Sequence, residues 1–187
     1  MAYKDETLTF ASDKIYYTVE ALGEVQVMMD WEDDIMKASA DYVCENGGDI
    51  LEIGFGMGIA ADYIQANSIT SHTIVENHPQ IIEKAKSWAN GKSNVTIVEG
   101  DWYDIKDSLS TYNGIFYDNW ADKDKEHFTE TLPTLVKSEA KTTWWNNYTN
   151  LDDVFFVNGT TYESISVNPS SNTYFNSNTY YLPKKQF

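Results

Sequence analysis

Asp49-Ile-Leu-Glu-Ile-Gly-Phe-Gly-Met-Gly58 is the stretch on which the fold turns. Ile50, Leu51 and Ile53 read as a short buried strand that runs straight into glycines at 54, 56 and 58. Glycines there permit left-handed backbone and let a nucleoside-bearing ligand approach main-chain amides. A dinucleotide fingerprint asks for Gly-x-Gly-x-x-Gly with a small residue at position 59 for close helix–strand packing; Ile59 stands there instead. Glu52, two residues before the first glycine, completes a Glu-x-Gly-x-Gly-x-Gly pattern. The next apolar run, Thr73-Ile-Val-Glu76, ends in an acid 22 residues past Gly54. An acid at that distance, closing the second strand, is placed to hold both hydroxyls of a ribose.

Outward from this core, the chain alternates. Met36, Ala40, Val43 and Cys44 form a helical stripe, with Glu32, Asp33 and Asp34 suited to the first turn and Asn46-Gly-Gly48 to the end. A helix carrying Ile59, Tyr63 and Ile64 follows the glycine turn, and a strand at about 72–76 leads to a helix opened by Pro79. Val95-Thr-Ile-Val98 and Gly114-Ile-Phe-Tyr117 read as strands. Asp122 is a candidate cap for a helix bearing Phe128, Leu132 and Leu135, with Pro133 kinking or shortening it. Lys141-Thr-Thr-Trp-Trp145 is the fifth strand, and the runs 161–167 and 178–182 around a turn cluster predict a terminal hairpin. Strict alternation implies right-handed crossovers and a doubly wound, mostly parallel sheet of seven strands that closes with an antiparallel hairpin. Ligands in such sheets sit at the carboxyl ends of the strands. One domain over 1–187 is expected: an N-terminal arm or lid (1–27), a cofactor-binding core (28–150) and the hairpin (151–187).

Composition narrows the partners. A hydrophobic share of 42% and an aromatic share of 14% indicate a folded chain. No run is long enough to span a membrane and no leader is visible, so a soluble, cytoplasmic monomer or homodimer is expected. Cys44 alone excludes an intramolecular disulfide, and His72, His78 and His127 lack metal spacing. The net charge of −16, with all 13 basic residues lysine, opposes nucleic acid and suits a cationic substrate, although such acidity also serves solubility.

Several segments together resemble one branch of the class I methyltransferases that use S-adenosyl-L-methionine. Val27-Met-Met-Asp-Trp-Glu-Asp-Asp-Ile-Met36, Leu51-Glu-Ile-Gly-Phe-Gly-Met-Gly-Ile59 and Gly114-Ile-Phe-Tyr-Asp-Asn-Trp120 are similar to guanidinoacetate N-methyltransferase and to the fungal arginine delta-N-methyltransferases. Weaker echoes are His72–Glu76, Gly100-Asp-Trp-Tyr-Asp104 and Tyr180-Tyr-Leu-Pro183. The resemblance implies a Rossmann-like fold and release of S-adenosyl-L-homocysteine. It places Trp31, Glu32 and Asp118 at the guanidine of the acceptor, with Thr149 and Asn150 at the acceptor carboxylate. Met28, Met36, Glu52, Gly54, Phe55, Gly56, Met57, Gly58, Ile59, Glu76, Asn77, Asp101, Trp102 and Asp118 match the cofactor site. Two departures stand out: Lys137-Ser-Glu-Ala-Lys141 replaces a Leu-Lys-Pro-Gly-Gly turn, and Tyr-Asp-Thr-Tyr becomes Tyr117-Asp-Asn-Trp120.

A pair of carboxylates also follows from chemistry. A guanidinium has a pKa above about 12 and no free lone pair, so it is a poor nucleophile until a proton leaves. Two flanking acids bind its planar donor fork and accept that proton, which casts Asp118 and Glu32 as the catalytic candidates. Each has a plainer reading: Asp118 as a strand-end turn residue, Glu32 as a first-turn acid favouring the helix dipole. The methionines and Trp102 read equally as core. The leading expectation is N-methylation of a small guanidino acceptor. Protein arginine or another amine is the alternative acceptor, and a non-catalytic cofactor-binding protein is the rival.

Overall fold

The computed structural model describes residues 3–120, 127–147 and 157–187. Two sheets form. The smaller is antiparallel, with β1 (Thr9–Phe10), β2 (Lys14–Val19) and β3 (Gly23–Met29) in that order. The larger contains β4 (Asp49–Ile53), β5 (Ser71–Glu76), β6 (Val95–Glu99), β7 (Tyr112–Tyr117), β8 (Val136–Trp144), β9 (Thr161–Ser166) and β10 (Thr179–Gln186). Its order is β6-β5-β4-β7-β8-β10-β9, parallel through β8 and antiparallel in the last two strands. The chain reverses direction across the sheet between β4 and β7, and a crevice opens there at the strands' carboxyl ends.

Helices cover both faces. α1 (Asp33–Cys44), α2 (Ile59–Ala66) and α3 (Pro79–Ala89) lie on one, and α4 (Trp102–Ile105) and α5 (Phe128–Leu135) on the other. The stripe expected on α1 is buried, with Ile35 and Ser39 added to it, and Gly47 and Gly48 beyond its end adopt positive φ. Pro79 opens α3, and the side chain of His78 accepts the Gln80 N–H at 3.2 Å as its cap. β4 is buried almost throughout, as a central parallel strand must be.

Three expectations shift. Residues 9–29 are strands rather than an irregular arm: the β-prone run Lys14–Val19 pairs with Gly23–Met29 around a turn whose Gly23 has φ +75. Trp31 and Glu32 lie in a 3-10 turn, Asp30–Glu32, that precedes α1 instead of within the helix. β8 begins at Val136, before the Lys141 suggested by the apolar run, because Tyr112 pairs with Val136 across a register shift and Glu139 N–H bonds Phe187 O at 3.0 Å. Glu139 takes φ +62 in this stretch, where the resembling family carries its glycine-containing turn. The proposed cap Asp122 lies outside the described residues.

Close packing of α1 on β7 requires a glycine. A Cβ on Gly114 would sit 2.1 Å from Val43 O and 2.8 Å from Ile50 Cδ1, and the backbone carbonyl cannot step aside. Gly114→Ala is expected to cost about 1–3 kcal/mol and lower the thermal midpoint by several degrees. An unchanged midpoint in calorimetry would show that α1 can retreat freely.

Candidate active site

A crevice opens at the ends of β4 and β7. Its wall includes Met28 and Met36, the turn residues Gly54, Phe55 and Gly56, and the acids Glu52, Glu76 and Asp118. Tyr3, Val27, Asn119 and Trp120 also line it.

The turn is held open by glycine. Gly54 has φ +92, and a Cβ there would meet Asp118 O at 1.9 Å, so only glycine lets the ends of β4 and β7 approach this closely. At Gly56 (φ +53) a Cβ would meet Met28 Sδ at 2.5 Å. That sulfur accepts the Met57 N–H at 3.1 Å, which ties β3 to the turn. Gly58, with φ +86, starts α2 at Ile59.

Glu76 closes β5 and is 5% exposed. Its Oε2 accepts Phe55 N–H at 2.9 Å, and its Oε1 accepts Asn77 N–H at 2.9 Å and His78 N–H at 2.8 Å. Burial nevertheless holds this carboxyl above the usual range, against the pull of those donors. A carboxylate has about four acceptor directions and three are taken, so one is left for a ribose hydroxyl, and a second hydroxyl would share or displace an N–H bond. The Oδ1 of Asn77 is buried without a hydrogen-bond partner. An orphaned acceptor beside the crevice fits a ligand that brings its own donors.

Two more acids approach from β7 and β3. Asp118 follows β7, anchored by its N–H to Ile53 O at 2.8 Å, and no hydrogen bond to its carboxyl is found among the described residues. Burial, then Glu52 and Glu76, push it up to about 7. Glu32 is buried, and its Oε1 accepts Met29 N–H at 2.7 Å and Tyr174 O–H at 2.6 Å. Burial, then repulsion from Asp118, push Glu32 up to about 8, against those two hydrogen bonds. The repulsion that Glu32 feels from Asp118 puts the two buried carboxyls within electrostatic reach of each other.

Glu52 has a different setting. His72 Nε2 lies 2.8 Å from its Oε2, and His72 Nδ1 lies 3.3 Å from the Gln65 side-chain amide nitrogen. An amide can only donate there, so Nδ1 accepts and Nε2 carries the proton facing Glu52. Burial still raises the Glu52 carboxyl above its usual range. Three carboxyls, Glu52, Glu76 and Asp118, thus line one crevice, with Glu32 within electrostatic reach of Asp118, and each is held toward its neutral form.

Not every residue singled out from sequence reaches the crevice wall. Trp102 is fully buried against Tyr103, Tyr117 and Phe128 on the far face of the sheet, and Asp101 caps α4 through Tyr103 N–H at 3.1 Å. Met57, Gly58 and Ile59 shape the turn, and Asn77 stands beside Glu76 without lining the crevice. Trp31 stacks on Tyr174 and Phe175, with ring centroids 5.9 and 5.7 Å away. Thr149 and Asn150 lie outside the described residues. Tyr3 and Tyr174 are not singled out by the sequence, since isolated aromatic residues in the N-terminal arm and between the last two strands carry no periodic signal, and Trp120 enters it only as a departure from Tyr-Asp-Thr-Tyr.

Residues 3–165 match the family model for guanidinoacetate N-methyltransferase. The protein arginine N-methyltransferase 2 of Aspergillus oryzae is 36% identical over 156 residues, which are 77% of this chain and 36% of that protein. The protein of the same name from Candida glabrata is 38% identical over 135 residues, 66% of this chain and 32% of that one. The chain therefore spans about a third of the length of these relatives. Spermidine synthase from Thermotoga maritima superimposes with a TM-score of 0.66 over 96% of this chain and 72% of its own, at 12% identity, a likeness of fold alone. By motif, fold and family model together, the chain belongs to the guanidinoacetate N-methyltransferase family of class I S-adenosyl-L-methionine-dependent methyltransferases.

Proposed function

We propose that this chain is an N-methyltransferase acting on the guanidino group of a small cationic acceptor of the guanidinoacetate kind. The observation that carries this reading is the pair Glu32 and Asp118. Both are pushed above their ordinary range; Asp118 lines the crevice beside the glycine turn, and Glu32, buried behind its wall, lies within electrostatic reach of Asp118. Buried acids without a cation are costly, and a planar guanidinium relieves both at once. S-adenosyl-L-methionine, when bound, supplies an electrophilic methyl group; Gly54, Gly56, Glu76 and Met28 are the residues that would hold it. Glu32 and Asp118 grip the acceptor from two sides and fix one nitrogen, which is the positioning on which such a displacement chiefly depends. Asp118, its carboxyl held at about 7, takes the proton that the nitrogen must lose.

The relatives' name favours a second acceptor, an arginine side chain of a protein. A panel of free guanidino acids, primary amines and arginine peptides, incubated with labelled cofactor, separates the two. Transfer to none, with cofactor bound, would leave a cofactor-binding protein without catalysis, against which the paired acids count.

Glu76→Ala is expected to weaken S-adenosyl-L-homocysteine binding by at least about tenfold, since charge-assisted hydrogen bonds contribute roughly 1.5–3 kcal/mol each. Stability falls too, because three backbone N–H groups lose their acceptor. Calorimetric titration well below the variant's melting temperature isolates the binding effect, and an unchanged affinity would remove Glu76 from the cofactor site. Asp118→Asn keeps the shape but removes the base. The methylation rate should fall about 10²–10⁴-fold while cofactor affinity changes far less, and near wild-type turnover would rule Asp118 out as the base.

The raised carboxyls also set a pH dependence. The unfolded chain ionises Asp118 and Glu32 near 3.8 and 4.5, whereas the folded chain keeps their protons to about 7 and 8. Stability from these two groups is therefore present at low pH and lost as pH rises through 7 and 8. A guanidinium acceptor needs them ionised, so its affinity should rise from pH 6 to pH 8.5, and binding near pH 7.5 should release protons. Calorimetry in buffers of different ionisation enthalpy reads that release. A binding heat that is the same in every buffer would contradict the coupling.

A further inference from the structure

Tyr174 lies in the turn between β9 and β10, far from every motif of the glycine core. Asn172 Oδ1 accepts the N–H groups of Tyr174 at 3.0 Å and Phe175 at 2.7 Å, which fixes the turn. Gln26 Oε1 accepts both the N–H and the hydroxyl of Thr173, at 3.2 and 3.0 Å, and docks the turn on β3. The Tyr174 ring is clamped among Trp31, Trp120 and Trp145, with centroids 5.9, 5.9 and 6.1 Å away. Trp120 itself lines the crevice.

This clamp aims one hydroxyl at one carboxyl oxygen. Glu32 Oε1 is taken by Tyr174 O–H and Met29 N–H, and no hydrogen bond to Oε2 is found among the described residues. We propose that Tyr174 is a positioning residue for the acceptor: it locks the Glu32 carboxylate so that Oε2 alone is presented to the acceptor's N–H groups. The β9–β10 turn is thereby part of the acceptor site, although the cofactor motifs lie elsewhere in the chain. The inference rests on the guanidino reading above. The phenol suits the task, because burial and the neighbouring acids Glu32 and Asp118 hold its proton on, keeping it a donor across the working range. A carboxylate gripped at one oxygen offers a fixed direction to a planar fork, where a free one would rotate and lose that selectivity.

The test is Tyr174→Phe, which keeps the ring in its aromatic clamp and removes only the hydroxyl. Cofactor affinity and thermal midpoint report whether the fold is intact. The expected result is a KM for the guanidino acceptor raised about tenfold or more, with kcat less affected. The acidic limb of kcat/KM should move to higher pH, since Glu32 loses a hydrogen bond that favours its ionised form. An unmoved KM together with an unmoved acidic limb would overturn the proposal. In parallel, carbon-13 NMR follows the Glu32 carboxyl titration in protein loaded with S-adenosyl-L-homocysteine. A midpoint higher in Tyr174→Phe than in wild type supports the contact, and equal midpoints overturn it. Should wild-type protein methylate no guanidino compound, the functional reading falls, and this midpoint still decides the role of Tyr174.

Discussion

The carboxylate of Glu76 joins parts of the chain that would otherwise have separate fates. It accepts N–H groups from the glycine turn after β4 and from the turn after β5, so the ends of two neighbouring strands share one acceptor. Buried backbone donors without partners are expensive, and this single side chain satisfies three of them where the sheet must open for a ligand. The glycine turn is thereby preorganised. Its shape does not depend on what later occupies the crevice, and the acid proposed to hold a ribose is the same acid that builds the wall.

From that anchor the crevice is enclosed by elements distant in sequence. β3 brings Met28, whose sulfur caps Met57 N–H, and leads into the 3-10 turn that carries Glu32. β7 ends at Asp118, close to Gly54 because that glycine has no Cβ. The C-terminal hairpin returns antiparallel beside β8, and its turn delivers Tyr174 to Glu32. Tyr180 supports the same corner by donating to Trp144 O while accepting Asn146 N–H.

Burying four carboxyls in and beside one crevice works against stability at neutral pH. Their raised proton affinities are the measure of that strain. Glu52 alone has a protonated nitrogen facing it, from His72. Among the described residues no cationic side chain pairs with Glu32 or Asp118, and this imbalance is what a positively charged ligand would relieve. A chain with no arginine and a net charge of −16 extends the same bias over its whole surface.

The alternation of strand and helix, the glycine turn and the two strand-end acids were legible because each depends on local spacing: period two or 3.6, a glycine where φ must be positive, an acid where a parallel strand stops. Asp49–Gly58 and Thr73–Glu76 carry that information within a few residues, so the sequence by itself determined the sheet and the place of its crevice. The small N-terminal sheet was not legible, because the mixed burial of Lys14–Val19 and Gly23–Met29 leaves no clean alternation in the sequence. Trp102 sits beside a cofactor-like motif yet is buried on the far face, because a strand-end neighbour can turn either way and only packing against Tyr117 and Phe128 decides which. The bonding of Glu32, the tautomer of His72 and the reach of Tyr174 across 142 positions of chain came from tertiary structure alone. Contacts between distant segments leave no period in a sequence; they exist only once the sheet has brought the segments to the same edge.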